Sequence, residues 1–208
     1  MPKRAFDLLG AALALVLLSP LLLLLALIIR LDSPGPVFFR QERVGRFGRP
    51  FRIHKFRTMV SDAPALGPPL TVGADARITR SGRWLRRTRL DELPQLIDVL
   101  RGDMSLVGPR PEVPGYVQHY PPALRERALA VRPGITDLSS LENLDEAARL
   151  AAAADPEREY IQHILPIKLA TAVDYAEHAT LWSDLCVIAR TLGVLLGLGK
   201  RHDKRHDA

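Results

Sequence analysis

The sequence predicts a mainly α-helical protein with one small β-hairpin, in which an N-terminal membrane helix precedes a compact α/β domain. Three observations predict this class. An uncharged apolar run covers residues 8–29, apolar and basic residues alternate around two glycines over 37–59, and helical patterns recur from 78 to 198. At 208 residues, the chain is long enough for one domain with a buried core and an appended segment.

The apolar run, LLGAALALVLLSPLLLLLALII, has the length of a membrane helix. At 1.5 Å per residue it would extend about 33 Å, close to the hydrocarbon thickness of a bilayer. A cleaved signal peptide fits poorly, because the run is long and ends without a small-x-small cleavage site. A single spanning helix and a re-entrant helix, which enters the membrane and returns on the same side, both stay open.

Two features favour the re-entrant helix. Pro20 removes one backbone hydrogen bond near the middle of the run, and we expect the hydroxyl of Ser19 to bond to the carbonyl of Leu15 and satisfy part of the break. Basic residues flank the run on both sides, which the positive-inside rule associates with two cytoplasmic ends. The predicted division is a re-entrant membrane helix over 1–30, broken at Ser19-Pro20, a cytoplasmic and interfacial domain over 31–198, and a disordered charged tail over 199–208.

Within the domain, VFFRQERVGRFGRPFRIHKFRTM (37–59) predicts a hairpin with phenylalanines on one face and arginines on the other. The Pro- and Gly-rich stretch 61–76 predicts a loop. Asp155 and Pro156 are expected to open a helix as N-cap and first helical residue. Helices are predicted over 78–88, 91–100, 121–130, 143–153, 157–176 and 181–198.

The last predicted helix carries an apolar stripe at helical spacing. Such a stripe usually packs into a core, with a helix lying flat on a membrane as the alternative. Cys186 lies in the same segment, where we expect a buried and inert thiol. The stripe comprises Leu181, Leu185, Ile188, Leu192 and Leu195.

The composition indicates phosphorylated partners. The net charge is +6, and all but five of the 29 basic residues are arginines, whose planar fork binds phosphate and carboxylate in a bidentate way. The single cysteine excludes an internal disulfide and any multi-cysteine metal site, and it fits a reducing compartment. Few aromatic residues are available to stack on bases, so nucleic acid is not an expected partner.

Two adjacent carboxylates, Asp91 and Glu92, lie in a strongly basic stretch. We place them at the start of a helix, where free N–H groups, the helix dipole and the arginines just before them keep both carboxylates ionised. A carboxylate held among arginines can attack phosphorus while the arginines neutralise the phosphate oxygens, and a neighbouring carboxylate can share Mg²⁺. The same residues also suit a plain helix cap.

Three further motifs supply basic side chains. In VGPRP (107–111), two prolines restrict the backbone and present Arg110. In HKFRTM, Lys55 and Arg57 are two residues apart and would share one side of a strand, as a phosphate clamp needs. VRPGIT (131–136) places Arg132 next to a proline, as VGPRP does with Arg110. Each motif also fits a surface turn or a solvated strand face.

Taken in order, the Ser-Pro within the apolar run, KFRTM, LRRTRLDELPQL, GDMSLVGPRP and VRPGIT resemble the bacterial sugar transferases called monotopic phosphoglycosyl transferases. The resemblance runs from about residue 3 to about 195 and is most specific over 84–111. It implies an enzyme on the cytoplasmic face of the bacterial inner membrane. Such an enzyme moves a sugar 1-phosphate from a UDP-sugar to undecaprenyl phosphate, releases UMP, and performs the first membrane step of glycan assembly.

The resemblance also implies roles for individual residues. Asp91 would be the nucleophile of a covalent phosphosugar intermediate, and Glu92 would support it with Mg²⁺. Arg86 would hold the lipid phosphate and Arg110 the nucleotide end of the donor. Lys55, Arg57 and Arg132 would bind further phosphate charge, and Ser19-Pro20 would break the re-entrant helix.

The sequence departs from the family pattern at several points. Arg89 stands where a small polar residue is usual, Asp98 where asparagine is common, and Asp137 where glycine follows RPGIT. The segment after 136 is the loosest match, so the sugar and the role of 137–156 stay open. The short N-terminal part resembles the small members of the family, and a homodimer stays open.

Two rival functions make different predictions. A membrane-anchored basic protein that binds anionic lipid or nucleic acid without catalysis would lose affinity steeply with salt and would not depend on Asp91. A glycosyltransferase that breaks the sugar–phosphate bond would release UDP and would be expected to carry an Asp-x-Asp metal motif, which RGD and LDE do not supply.

Overall fold

The computed structural model describes residues 2–66, 75–139 and 146–195; the predicted tail and parts of the stretches 61–76 and 137–156 lie outside these ranges. The predicted class, mainly helical with a small antiparallel hairpin and a long apolar N-terminal helix, is confirmed. The helices are α1 (Pro2–Asp32), α2 (Ala63–Leu66), α3 (Arg80–Thr88), α4 (Leu96–Arg101), α5 (Pro114–Val117), α6 (Pro122–Ala128), α7 (Glu146–Ala152), α8 (Pro156–Glu159), α9 (Leu165–His178) and α10 (Leu181–Leu195), and the strands are β1 (Phe38–Val44), β2 (Pro50–Phe56), β3 (Ser105–Val107) and β4 (Gly134–Thr136).

The predicted hairpin is confirmed, but the predicted separation of phenylalanines and arginines onto opposite faces is wrong, because Arg43 lies directly opposite Phe51 and paired residues share a face. Strands β1 and β2 pair in antiparallel fashion from Phe38 opposite Phe56 to Val44 opposite Pro50. A short 3₁₀ turn joins them, and Phe47 in that turn adopts a left-handed backbone with φ 58. Strands β3 and β4 form a second, parallel pair that brings the two arginine-proline motifs side by side. The hairpin and this small pair position the loops that carry basic side chains.

Helix α1 continues through Pro20 for 31 residues and is long and apolar enough to cross a membrane by length and composition. Pro20 has no N–H, so the carbonyl of Val16, four residues earlier, loses its helical donor. The Ser19 hydroxyl donates to that Val16 carbonyl at 2.8 Å. The prediction that Ser19 bonds to the Leu15 carbonyl is therefore wrong. The carbonyl that lacks a helical donor because of Pro20 is that of Val16.

One face of α1 packs on the domain along its length. Ala11 joins a core cluster with residues of β2, α4 and the segment before β3, and Leu25 and Ile29 join a second cluster with Phe56 and Leu85. The other face is apolar and exposed, with Leu9, Leu13, Val16, Leu17, Leu23, Leu24, Leu27 and Leu31 all more than half exposed. The packed face orients α1 on the domain, and the exposed face is suited to lipid.

Both ends of α1 are bonded to the same domain. At the N-terminal end, Arg4 donates to the Val99 carbonyl at 2.8 Å, and Asp7 accepts from the Ser105 hydroxyl at 2.9 Å. Lys3 pairs with the buried Asp184 of α10. At the C-terminal end, Asp32 accepts from the backbone N–H of Ser81 at 2.9 Å.

Most predicted helices are confirmed, with changes in the helices predicted over 91–100 and 157–176 and in the stripe of the last helix. Asp155 caps α8 through the Arg158 N–H and Pro156 follows it, as expected, and a π-helical turn, Tyr160–Ile164, interrupts the predicted helix before α9. On α10 the predicted core stripe is wrong. Leu185, Leu192 and Leu195 are exposed, as is Cys186, because Asp184 and Val187 occupy the face that packs on the domain.

Candidate active site

The two adjacent carboxylates follow a sharp turn. Helix α3 ends at Arg89, whose backbone is left-handed with φ 59, and a 3₁₀ helix, Leu90–Gln95, begins there. The Glu92 N–H bonds back to the Arg89 carbonyl at 3.2 Å. The single helix predicted over 91–100 is thus a 3₁₀ turn followed by α4. Both carboxylates lie beside Lys55 of strand β2.

Four side chains from three segments meet at this turn, and we call Lys55, Asp91, Glu92 and Arg110 the carboxylate cluster. The Lys55 amine lies 2.9 Å from Asp91 Oδ2 and 3.0 Å from Glu92 Oε1. The Arg110 guanidinium lies 2.6 Å from Glu92 Oε1. Three of the sequence-predicted motifs therefore converge on one place.

The two carboxylates differ in how completely they are satisfied. Both oxygens of Glu92 receive hydrogen bonds from Arg110. Burial opposes the ionisation of Glu92, but Arg110 and Lys55 outweigh burial and hold the pKa of the Glu92 carboxyl well below its usual range. Asp91 is 2% exposed, and among the described residues its buried Oδ1 atom receives no hydrogen bond. That oxygen is available to a substrate or a cation.

The loop that carries Arg110 is fixed by contacts on both sides. Arg43 donates to the Pro111 carbonyl at 2.9 Å, and the Val44 N–H donates to the Glu112 carbonyl at 2.9 Å. The Tyr160 hydroxyl donates to the Glu112 carboxylate at 2.5 Å. Sequence reasoning missed Arg43 and Tyr160. The basic alternation along β1 was a signal for Arg43, whereas no sequence signal marked Tyr160.

Arg86, which belongs to helix α3, lies near Asp91 of the 3₁₀ helix. Its Nε atom donates to the Thr58 hydroxyl at 2.9 Å. Burial lowers the pKa of Arg86, and the negative charge of Asp91 acts against that effect. Arg86 is therefore close enough to Asp91 for their charges to interact. A side chain that binds a phosphate next to Asp91 would need such a position.

Arg57 lies elsewhere, so the predicted clamp with Lys55 on one strand face is wrong. Strand β2 ends at Phe56, and the alternation of its side chains does not extend to Arg57. The Arg57 guanidinium donates to the Ile29 carbonyl at 3.3 Å and the Ser33 carbonyl at 2.7 Å, and also to the Pro34 carbonyl. Together with Asp32 and Ser81, these groups form what we call the helix-end cluster.

Arg132 is also placed away from the carboxylates. Its Nε atom donates at 2.8 Å to the carbonyl of Gly102, the residue that caps the C-terminus of α4. Burial lowers the pKa of Arg4 in α1, and the positive charge of Arg132 lowers it further. These contacts are those of a side chain that caps a helix. Its predicted role in phosphate binding stays a prediction.

A buried pair, His54 and Asp98, ties the hairpin to α4 and was missed. The Asp98 carboxylate accepts from the His54 backbone N–H at 2.8 Å and lies 2.5 Å from the ring Nδ1. Asp98 is fully buried, and both of its carboxylate oxygens contact His54. The pair fixes the strand that presents Lys55, the next residue.

The arrangement suits phosphoryl transfer. Among the described residues one Asp91 oxygen receives no hydrogen bond, and Lys55 lies 2.9 Å from the other, where its amine could also bond a phosphate oxygen. Mg²⁺ uses one or two carboxylates together with substrate phosphates, so Asp91 and Glu92 fit it as a donor set. No group of three or more potential ligand side chains is present among the described residues, so protein alone does not build a complete metal cage.

Comparison with known proteins shows the family of this chain. The family model described as bacterial sugar transferase matches residues 1–197. A UDP-N-acetylgalactosamine-undecaprenyl-phosphate N-acetylgalactosaminephosphotransferase of Aeromonas hydrophila is 40% identical over 203 residues, covering 96% of this chain and 45% of that protein. A UDP-glucose:undecaprenyl-phosphate glucose-1-phosphate transferase of Caulobacter vibrioides is 41% identical, covering 93% of this chain and 69% of that protein.

A third relative, the exopolysaccharide production protein PSS of Rhizobium leguminosarum bv. phaseoli, is 42% identical over 170 residues, which are 76% of this chain and 84% of that protein. The chain therefore spans less than half of the Aeromonas protein and larger shares of the other two.

Proposed function

This chain belongs to the bacterial sugar transferase family, and from that premise we propose that it transfers a sugar 1-phosphate from a UDP-sugar to undecaprenyl phosphate and releases UMP. The observation that carries the proposal is the carboxylate cluster, in which one buried Asp91 oxygen, beside Lys55, receives no hydrogen bond from the part of the chain that the structure describes. The names of the Aeromonas and Caulobacter relatives describe the same type of transfer. The product would be the first lipid-linked intermediate in the assembly of a glycan such as an exopolysaccharide.

The proposed reaction has two displacement steps at one phosphorus. In the first, an Asp91 oxygen bonds to the β-phosphorus of the donor, the bond from that phosphorus to the bridging oxygen breaks, and UMP leaves with the bridging oxygen and its electron pair. In the second, a phosphate oxygen of undecaprenyl phosphate bonds to the same phosphorus and the acyl-phosphate bond breaks. Asp91 returns as a carboxylate, and the product is a polyprenyl-diphosphate-sugar.

The other members of the cluster keep the site charged and fixed. Glu92 stays ionised at neutral pH and holds Lys55 and Arg110 beside the reacting carboxylate. Lys55 and Arg110 would neutralise the phosphate oxygens as charge develops, and Arg86 would bind the phosphate of the lipid. We propose that Asp91 and Glu92 also hold Mg²⁺, which when bound would neutralise diphosphate charge.

We also propose that α1 is re-entrant and that the domain lies on the cytoplasmic face of the membrane, as a monotopic protein. A straight helix of 31 residues is about 46 Å long, and if it crossed the bilayer its ends would lie on opposite sides. The contacts of Arg4 and Asp32 with one and the same domain support a helix with both ends on one side. The proposed kink is at Ser19-Pro20, where the helix continues but its ladder lacks one N–H.

Labelling tests this topology. Single cysteines at residue 2 and residue 46, introduced into a Cys186→Ser background, are expected to react with a membrane-impermeant reagent from the same side of sealed vesicles. Opposite sidedness would show that α1 spans the bilayer, and equal reactivity from the cytoplasmic side would support re-entry.

Nucleotide release tests the reaction. The purified, membrane-solubilised chain is incubated with Mg²⁺, undecaprenyl phosphate and a panel of UDP-sugars, and UMP is expected from at least one donor. Release of UDP would mean that the sugar–phosphate bond breaks and would overturn the proposal. Release of neither nucleotide would favour a membrane-anchored protein that binds anionic lipid without catalysis.

A further inference from the structure

The end of the apolar helix holds the start of α3. Asp32, the last residue of α1, accepts hydrogen bonds from Ser81 at its backbone N–H (2.9 Å) and its hydroxyl (2.8 Å). The first N–H groups of a helix have no partner within it, and Thr79 satisfies only the next one, at Gly82, from 3.0 Å. The position of α3 therefore depends on a carboxylate supplied by α1.

The same end of α1 is fixed to the end of strand β2. The buried Arg57 binds the carbonyls of Ile29 and Ser33, which lie in and just after the last turn of α1. A cation at a helix C-terminus also interacts favourably with the helix dipole. The chain of contacts thus runs from the lipid-facing helix to the residue that precedes Thr58.

Thr58 carries this connection to Arg86. The Thr58 hydroxyl accepts from Arg86 Nε at 2.9 Å, and its carbonyl accepts from the Thr79 N–H at 3.0 Å. Helix α3 lies directly on this segment, because a Cβ atom at Gly82 would stand only 2.1 Å from the Thr58 carbonyl oxygen. Two neighbouring residues, Arg57 and Thr58, therefore link the end of α1 to the arginine beside Asp91.

The two arginines of the site belong to different surroundings. Arg86 is on α3, which packs on α1, the helix with the exposed apolar face. Arg110 is on a loop that lines a cavity bounded by Asp137, Ser139 and Lys168, on the side of α9. A phosphate attached to a lipid would approach along α1 and reach Arg86, whereas a soluble donor would approach Arg110.

We infer that Asp32 is a positioning residue that holds Arg86 in place for the lipid acceptor's phosphate, so that it governs the second displacement and not the first. The inference rests on the proposed function and deepens it. Asp32 bonds to Ser81, and it acts on the reaction through α3 and Arg86. The expected signature is a selective loss of acceptor use.

The test separates the two steps. The first is followed without acceptor, as the incorporation of radiolabelled UMP into a UDP-sugar, and the second as turnover with undecaprenyl phosphate in detergent micelles. Asp32→Ala is expected to keep the first within about twofold of the unaltered protein and to raise the KM for undecaprenyl phosphate about tenfold. Arg86→Ala is expected to show the same split with a larger effect.

Two further variants decide between positioning and other roles. Asp32→Asn keeps an oxygen that accepts from the Ser81 N–H, since asparagine caps helices about as well as aspartate, and it should restore most of the acceptor KM. Asp174→Ala, which removes an exposed carboxylate on α9, should change neither step.

The outcomes are distinct. An equal loss of both steps in Asp32→Ala, no loss in either, or an Asp32→Asn variant as impaired as Asp32→Ala would each overturn the positioning role. Absence of UMP incorporation in the unaltered protein with every donor would instead overturn the proposed function, and the inference with it.

Discussion

Lys55 and Arg57 are two residues apart in the chain, yet they serve clusters of opposite kinds. Lys55 joins the carboxylate cluster, where cations face two acidic side chains and, among the described residues, one Asp91 oxygen receives no hydrogen bond. Arg57 joins the helix-end cluster, where its guanidinium satisfies main-chain carbonyls at the end of α1. The difference teaches that the partners of a basic side chain decide its role: the first cluster is arranged for reaction, the second for stability and position.

The largest expected effect concerns the unpaired oxygen. Asp91→Asn should reduce UMP release at least about a thousandfold, because the amide is nearly isosteric but is not nucleophilic. The melting temperature should be unchanged or higher, since a buried carboxylate with an unpaired oxygen costs stability. Asp174→Asn, which alters an exposed carboxylate, serves as the control for charge. Turnover like that of the unaltered protein would remove Asp91 from the mechanism.

The next prediction sets the two basic residues against each other. Lys55→Ala should lower turnover about a hundredfold or more, because it removes one cation from the developing phosphate charge. Arg57→Ala should lower the free energy of unfolding by about 2–4 kcal/mol, because it leaves buried carbonyls without a charged donor. Chemical denaturation and initial rates measure both quantities for each variant. Equal losses of stability in the two variants would contradict the assignment of Lys55 to the reaction and of Arg57 to stability.

Acid should weaken the carboxylate cluster through Glu92. The folded-state pKa of Glu92 is lowered by Arg110 and Lys55, so its stabilising contribution is complete above the unfolded value of about 4.3 and is lost as the pH falls toward the folded value. Denaturation curves between pH 7 and pH 3 should therefore show a smaller loss of stability for Glu92→Gln than for the unaltered protein. Identical pH dependence in the two proteins would contradict this ionisation.

The smallest effect is expected at the turn between the clusters. Arg89 has a left-handed backbone, which costs a residue other than glycine or asparagine about 1 kcal/mol. Arg89→Asn should therefore raise the free energy of unfolding by up to about 1 kcal/mol. Arg87→Asn, at an exposed helical position two residues earlier, should not stabilise the protein. A destabilised Arg89→Asn would show that the arginine side chain contributes more than its backbone costs.

The sequence by itself determined the local elements and the motifs of the carboxylate cluster. The alternation around Gly45 and Gly48 predicted the hairpin, and Asp155 followed by Pro156 predicted the start of α8. The acids at 91 and 92, the lysine at 55 and the arginine at 110 lie in motifs whose residue types suit phosphate, and the resemblance to the sugar transferase family distinguished them from plain caps and turns. These features depend on interactions within a few residues, which a sequence displays directly.

Only the tertiary structure decided which distant groups became partners. It assigned Arg57 to α1, Asp98 to His54 and Tyr160 to Glu112 across separations of 28, 44 and 48 residues. It also turned the apolar stripe of α10 outward, because Asp184 packs against Lys3 of α1. A guanidinium or carboxylate binds whichever group the packing of remote elements brings within 3 Å or so, and no local pattern contains that information.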